Sequence, residues 1–292
     1  MPDQPQTAAS LKRSVLYMPG SNPRAMEKAR TLAADALILD LEDAVAPDAK
    51  EAARAQVCAA LETGFGKRDV VVRINALESE WGERDLLETA AAKPDAILLP
   101  KVSSARDVHR VEERLAHVPE AATVAIWAMI ETPKAVLDVH GIAAAGGRLS
   151  CLVLGTNDLV KELGARHTPD RGNLLYILGQ TVLAARVHGL AVIDGVHNDI
   201  ADSEGFHFAC DQARSFGFDG KTVIHPSQID PCNAAFAPSP EEIAAAQKIV
   251  AAFALPENRN KGAIKLEGWM VERLHAAAAE KTLALAAAIA AR

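Results

Sequence analysis

Acidic and basic side chains able to share one reaction recur at intervals between residues 40 and 158 of the sequence. Asp40, Glu42 and Asp43 fall in Leu39-Asp-Leu-Glu-Asp43, Arg73 in Val71-Val-Arg-Ile-Asn75, and Lys101 after Leu99-Pro100. Glu131 falls in Met129-Ile-Glu-Thr-Pro133 and Asp158 in Gly155-Thr-Asn-Asp158. Two isolated carboxylates with an arginine nearby suit a hard divalent cation, since Mg²⁺ takes oxygen ligands and keeps positions open for water and substrate. Glu131 and Asp158 are the best pair for that metal, and no H-E-x-x-H stretch or cysteine cluster competes with them. Taken singly, either acid can equally serve a salt bridge or a helix N-cap. Arg73 in an apolar run is costly unless paired. It can pair with Glu42 or Asp43, clamp a substrate carboxylate or oxyanion, or do both. Ser14, Ser21 and Cys151 have no triad context, which sets nucleophilic catalysis aside.

For these residues to meet, the elements carrying them must converge. Short apolar, β-rich runs cover Ser14 to Tyr17, Ala36 to Asp40, Val70 to Ile74, Ala96 to Leu99, Val124 to Ile130, Cys151 to Leu154, Leu190 to Ile193 and Gly220 to Ile224. Helical stretches such as Glu51 to Glu62 and Ser104 to Ala116 separate them. This alternation predicts a parallel sheet. Eight units in roughly 240 residues is the size of an α/β (β/α)8 TIM barrel, whose chemistry sits at the C-terminal ends of the strands. The rival, an open doubly wound sheet, would carry a glycine-rich loop after the first strand. That position reads Met18-Pro-Gly-Ser-Asn-Pro23, without G-x-G-x-x-G.

The barrel is expected over residues 1–237 and a helical arm over 238–292. Ser239 should cap a helix with Pro240 in its first turn, running to about Phe253. A loop with Pro256, Asn258, Asn260 and Gly262 follows, and Met270 to Ala290 reads as helix. The arm packs on its own barrel or reaches a neighbouring subunit.

The stretch from Tyr17 to Lys28 opens a helix after the first strand. Asn22 can cap it, and Arg24 and Lys28 share a face four residues apart. A helix N-terminus with two cations suits a phosphate; a solvated basic face is equally common. His225, before Pro226, can line the mouth or be structural.

The 292 residues carry a net charge of -7, 49% hydrophobic and 24% charged side chains, which fits a soluble globular chain and disfavours a nucleic-acid binder. Cys58, Cys151, Cys210 and Cys232 form no C-x-x-C pair, as expected of free thiols in a reducing cytoplasm. The N-terminus lacks an apolar core of the signal-peptide kind, and no apolar run approaches a membrane span.

The stretches RSVLYMPGSNP, LILDLEDAV, VVRINAL, ILLPKV, MIETPKAV, LVLGTNDL, FGFDGKTVIHPSQI and GAIKLEGWMV resemble, in that order and over nearly the whole chain, the HpcH/HpaI aldolase and citrate lyase β-subunit superfamily, specifically its CitE-like branch. The resemblance implies Mg²⁺ held by Glu131 and Asp158, and Arg73 on the substrate acid group. It implies a coenzyme A site at Tyr17, Arg24, Lys28, Ile224 and His225. It implies a carbon–carbon lyase of the malyl-CoA or citramalyl-CoA kind, giving acetyl-CoA and an α-keto acid, in a homotrimer or hexamer whose arm closes a neighbour's site. Alternatives are a citrate lyase β subunit acting on an acyl-carrier-protein thioester, a malyl-CoA thioesterase, or a non-catalytic barrel that binds a CoA thioester. Resembling lyases end a G-x-M-[VI]-D stretch with a catalytic aspartate; this chain reads Gly268-Trp-Met-Val-Glu272, one methylene longer. Glu272, with Arg73, Glu42 and Asp43, completes the expected catalytic set.

Overall fold

The parity of the strands decides what faces where, because successive side chains on a strand point to opposite faces. In the computed structural model, which describes residues 11–292, eight strands form a closed barrel in sequence order, every neighbouring pair parallel and the eighth pairing with the first. They are β1 (Ser14–Pro19), β2 (Ala36–Asp40), β3 (Asp69–Arg73), β4 (Ala96–Leu99), β5 (Ala125–Ile130), β6 (Leu149–Leu154), β7 (Ala191–Asp194) and β8 (Gly220–Val223). All eight expected runs are strands, with ends shifted by at most two residues. The helices after them are α1 (Pro23–Ala29), α2 (Lys50–Thr63), α3 (Gly82–Ala91), α4 (Ala105–Leu115), α5 (Pro133–Leu137), α6 (Val139–Ala143), α7 (Thr156–Glu162), α8 (Leu175–Val187), α9 (Ser203–Phe216) and α10 (Ile229–Phe236).

Two apolar layers follow from the parity. Leu37, Leu39, Val70, Val72, Ile97, Leu99, Ile126, Ala128, Leu152 and Leu154 pack outward with the helices. Ala36, Ile38, Val71, Leu98, Trp127, Met129, Cys151, Val153 and Ile193 fill the barrel. The next inward position after Ile38 is Asp40, after Val71 it is Arg73, and after Met129 it is Glu131. The alternation that builds the core therefore delivers charged side chains to the C-terminal mouth.

The chain divides into two compact units, residues 12–236 and a unit containing residues 237–292. In the second, α11 (Pro240–Ala254) starts at Ser239, whose side chain accepts the Glu242 N–H in a capping box, as the sequence leads one to expect. Met270 to Glu272 is not helical. Strands β9 (Ala263–Leu266) and β10 (Trp269–Glu272) form an antiparallel hairpin before helix α12 (Arg273–Ala290). Its two-residue loop, Glu267-Gly268, has φ of 49° and 92°, the left-handed pair that two-residue hairpins require. Phe253, Ile264, Val271 and Ala276 form this unit's core. Among the described residues no helix is long and apolar enough to cross a membrane.

At the end of β7, Asp194 accepts at 2.6 Å from Nζ of Lys221, near the start of β8, and at 2.6 Å from Arg171 Nη1, with the Asp194 and Lys221 side chains fully buried. Burial raises the carboxyl's pKa, but the Lys221 and Arg171 charges outweigh it, and the net shift is downward. A depressed folded-state pKa contributes stability that is full above the unfolded value and lost as pH falls through the folded one. Asp194→Ala would leave two cations without their partner and should cost about 3–5 kcal/mol. Urea unfolding at neutral pH measures it; a loss under about 1 kcal/mol would show that the cluster is dispensable.

Candidate functional site

A cavity of about 290 Å³ opens at the C-terminal ends of the strands, lined among others by Tyr17, Asp40, Asp43, Arg73, Glu131, Thr156, Asp158, Asn198 and Ile224. Arg73 is its buried cation. The pairing register sets Arg73 beside Asp40 on the neighbouring strand, and Asp40 takes the guanidinium at both ends, Nε to Oδ1 at 2.7 Å and Nη2 to Oδ2 at 2.6 Å. Fork-on-fork geometry of this kind fixes orientation as well as charge. Glu42 and Asp43 approach the remaining Nη1 at 3.0 and 3.2 Å, so both pairings anticipated from the sequence exist. The dominant partner is nevertheless Asp40, which also accepts the Glu42 and Ala44 N–H groups and so shapes the loop that carries Glu42 and Asp43. Tyr17 lies against the other face of the cation, its ring centroid 4.9 Å from the guanidinium carbon, within the range of a cation–π contact.

Behind this loop, Lys50 Nζ donates to the Leu41 and Glu42 carbonyls, each at 2.9 Å. Asn75 donates to the Leu41 carbonyl at 2.8 Å and to the buried Asp85 at 2.6 Å. These bonds satisfy backbone groups that the β2 turn would otherwise bury unpaired.

The second half of the mouth is the acid pair. Glu131 is fully buried; its Oε1 accepts the Lys101 N–H at 2.7 Å, and its Oε2 has no hydrogen-bond partner. Asp158, in the first turn of α7, is partly exposed. The Lys101 ammonium lies 2.8 Å from Asp158 Oδ1 and 3.5 Å from Glu131 Oε1. Gly155 makes the approach possible, because a Cβ there would stand 2.4 Å from the Glu131 Cβ. An orphaned, buried carboxylate oxygen beside a second carboxylate fits a hard cation. With no cluster of three or more histidine, cysteine or acidic ligands among the described residues, the set fits a cation that completes its shell with water and substrate, as Mg²⁺ does.

Burial, opposed chiefly by Arg73, pushes the Glu42 carboxyl up to about 8. Burial, opposed chiefly by Lys101, pushes Glu131 up to about 7. Burial likewise pushes the Tyr17 phenol upward.

Not every candidate from the sequence joins this cavity. Ile224 lines it; His225 does not, and its Nδ1 bonds Ser227 Oγ at 2.8 Å. Asn22 caps α1 by accepting the Ala25 N–H, as expected. Arg24 and Lys28 are exposed on that seven-residue helix, away from the cavity lining. Glu272 belongs to the second unit, where it ends β10 and shares a capping box with His275, its N–H donating to His275 Nδ1 at 2.9 Å. Sequence reasoning missed the Asp40 pairing, the role of Lys101, and Asn198, whose amide exchanges hydrogen bonds with Asn157 across the cavity at 2.7 and 3.1 Å. The adjacency of Asp40 and Arg73 at the ends of consecutive strands was the available signal for the first; nothing in the sequence points to Asn198.

The sequence model of the HpcH/HpaI aldolase/citrate lyase family matches residues 13–226. The chain is 50% identical over 280 residues to a (3S)-malyl-CoA thioesterase of Cereibacter sphaeroides, covering 96% of each chain. It is 34% identical to the citrate lyase subunit beta of Escherichia coli, over 91% of this chain and 90% of that one. Among solved structures, the CitE protein of Mycobacterium tuberculosis in complex with magnesium, acetoacetate and coenzyme A superposes with a TM-score of 0.77 at 32% identity, covering 94% of this chain and 98% of that chain.

The upward shifts of Glu42 and Glu131 carry a stability consequence opposite in sign to that of Asp194. An acid whose folded pKa exceeds its unfolded one stabilises the fold while protonated and costs stability as it ionises. In chelator-treated protein, stability should therefore fall as pH rises from about 4.5 toward 7 and 8. Glu131→Gln should make that decline shallower. Melting temperatures in EDTA between about pH 5 and pH 8 read it; equal slopes in both proteins would refute the assignment to Glu131.

Proposed function

The chain belongs to the HpcH/HpaI aldolase/citrate lyase family, and from that footing we propose that it hydrolyses a malyl-CoA-type thioester at the barrel mouth, releasing free coenzyme A and the 2-hydroxy diacid. The observation that carries this reading is the 50% identity, over 96% of both chains, to the (3S)-malyl-CoA thioesterase of Cereibacter sphaeroides. The geometry supports it. Glu131 and Asp158 would hold Mg²⁺, which when bound supplies positive charge to the hydroxy-acid end of the substrate. Arg73, locked by Asp40, aims a fixed cation at the same end and need not reorganise as negative charge develops. Glu42, paired with Arg73 beside the cavity and pushed up to about 8 by burial, is the group suited to exchange a proton there. In hydrolysis a water oxygen bonds to the thioester carbonyl carbon, the carbon–sulfur bond breaks, and the departing thiolate takes a proton. Asp43 at the rim contributes charge balance to Arg73.

The superposition on a CitE chain described with magnesium, acetoacetate and coenzyme A together favours a second reading, carbon–carbon cleavage of the same substrate. There the hydroxyl loses its proton, the bond between the hydroxyl-bearing carbon and the thioester arm breaks, and its electrons form an acetyl-CoA enolate that takes up a proton. Tyr17, Arg24, Lys28, Ile224 and His225 remain the candidates for coenzyme A contacts. Glu272 remains a candidate acid for a second subunit's site, a role for which the exposed Trp269, Met270 and Leu274 beside it offer a docking surface.

Incubation with (3S)-malyl-CoA and both citramalyl-CoA isomers, with Mg²⁺ or with EDTA, tests the proposal. Magnesium-dependent release of free thiol and malate is expected. Acetyl-CoA and glyoxylate as primary products would replace hydrolysis with the lyase reading, and full activity after exhaustive EDTA treatment would sink the metal assignment. Arg73→Lys keeps the charge but loses the fork and should lower kcat/KM by on the order of 10²-fold.

A further inference from the structure

The Lys101 ammonium stands where a cation serving both carboxylates would have to stand. It touches Asp158 Oδ1 at 2.8 Å and reaches Glu131 Oε1 at 3.5 Å. The backbone is turned into an uncommon conformation at this residue: Lys101 has φ 52°, in the left-handed region that side-chain-bearing residues seldom occupy. That turn also aims its N–H at Glu131 Oε1, 2.7 Å away. One residue thus addresses the same carboxylate oxygen twice, through its amide and through its ammonium. The side chain is 33% exposed, so water reaches it. A polar cleft lined by Glu78, Ser103, Asp107 and Arg110 opens beside it and gives the ammonium room to swing away from the pair, with Arg110 already paired to Glu78 there.

Resting on the reading that Glu131 and Asp158 take a divalent cation, we infer that Lys101 is a tethered occupant of the cation site, which holds the two carboxylates together until the ion displaces it. Two like charges cannot share oxygens at these distances, because their repulsion rises as the separation falls. The ammonium and the ion therefore compete. A tethered competitor is always present at high effective concentration, so the apparent affinity for any cation is reduced by the fraction of time the pair stands free. An ion that binds weakly then fails to occupy the pair, while a divalent ion, with twice the charge of the ammonium, succeeds. The same contact has a second effect: it relieves the repulsion between a fully buried carboxylate and its neighbour whenever the ion is away.

Calorimetric titration of MnCl₂ into chelator-stripped wild type and Lys101→Met tests this without reference to turnover. The variant should bind Mn²⁺ about ten-fold tighter or better, should melt lower than wild type in EDTA, and should gain more on adding Mn²⁺. Equal or weaker Mn²⁺ binding by the variant, with wild type binding normally, overturns the role of Lys101 and leaves the cation reading standing. Absence of Mn²⁺ binding by both overturns the two together. A second measurement needs no variant: acetylation of the unaltered protein by an N-hydroxysuccinimide ester, followed residue by residue by peptide mass spectrometry. Mn²⁺ should speed modification of Lys101 several-fold and leave the exposed Lys93 unchanged; an unchanged or slower rate at Lys101 contradicts displacement.

Discussion

Five carboxylates and two cationic side chains meet at one end of this barrel, and the imbalance governs the rest of the site. Asp40, Glu42 and Asp43 share Arg73, while Glu131 and Asp158 share Lys101. Water cannot make up the deficit where it matters most, because Glu131 is fully buried and Glu42 nearly so. A buried charge without a full partner must take up a proton or find a counter-ion. The first response is the one seen here, since burial shifts Glu42 and Glu131 toward keeping their protons to higher pH, and one Glu131 oxygen without a hydrogen bond is open to the second. A site built this way is poised for added positive charge and, at the same time, holds exchangeable protons near neutrality.

The barrel tolerates such a mouth because its stability is made elsewhere. Two apolar layers, one inside the strands and one between strands and helices, run the length of the barrel. Asp40 and Arg73 end β2 and β3, and the other charged residues of the mouth lie beyond the strand ends, so they cost the core no packing. Support from behind is polar and saturated: Asp85 is bonded by Arg54 and Asn75, Asp194 by Lys221 and Arg171. These satisfied clusters hold the β2 and β7 ends still. Of the buried side-chain groups without a hydrogen bond, Glu131 Oε2 lies at the cavity, where a ligand can reach it.

How much of this can be read from the residues depends on the range of the interaction. The strands were legible because β-rich runs with helical spacers are a local signal, and their C-terminal ends named Arg73, Glu131 and Asp158. The caps at Asn22 and Ser239 were legible for the same reason. The Asp40–Arg73 fork was not, because it depends on the register between two strands and not on either strand alone. The hairpin at 263–272 was hidden by an Ala-rich helix beginning one residue later, and only the Glu267-Gly268 dipeptide betrays it. Lys101 was visible as a basic residue at the end of β4, but its attachment to Glu131 and Asp158 follows from a backbone turn that a lysine does not advertise. The Asp194–Lys221–Arg171 cluster draws on three separate segments and leaves no local pattern.

Hydrolysis and carbon–carbon cleavage of one thioester make nearly the same demands on the half of the site described by the barrel. Both need the hydroxy-acid end fixed and its charge balanced, the role proposed for Arg73, Glu131 and Asp158. They differ at the thioester, in whether a water or an enolate must be accommodated, and therefore in which acid stands over that end and how far it reaches. Under the proposed readings that difference would fall to groups beyond the strand ends, Glu272 among the candidates, whose side chain is one methylene longer than the aspartate of the resembling lyases. Its place in a capping box with His275 further constrains how that carboxylate can be presented.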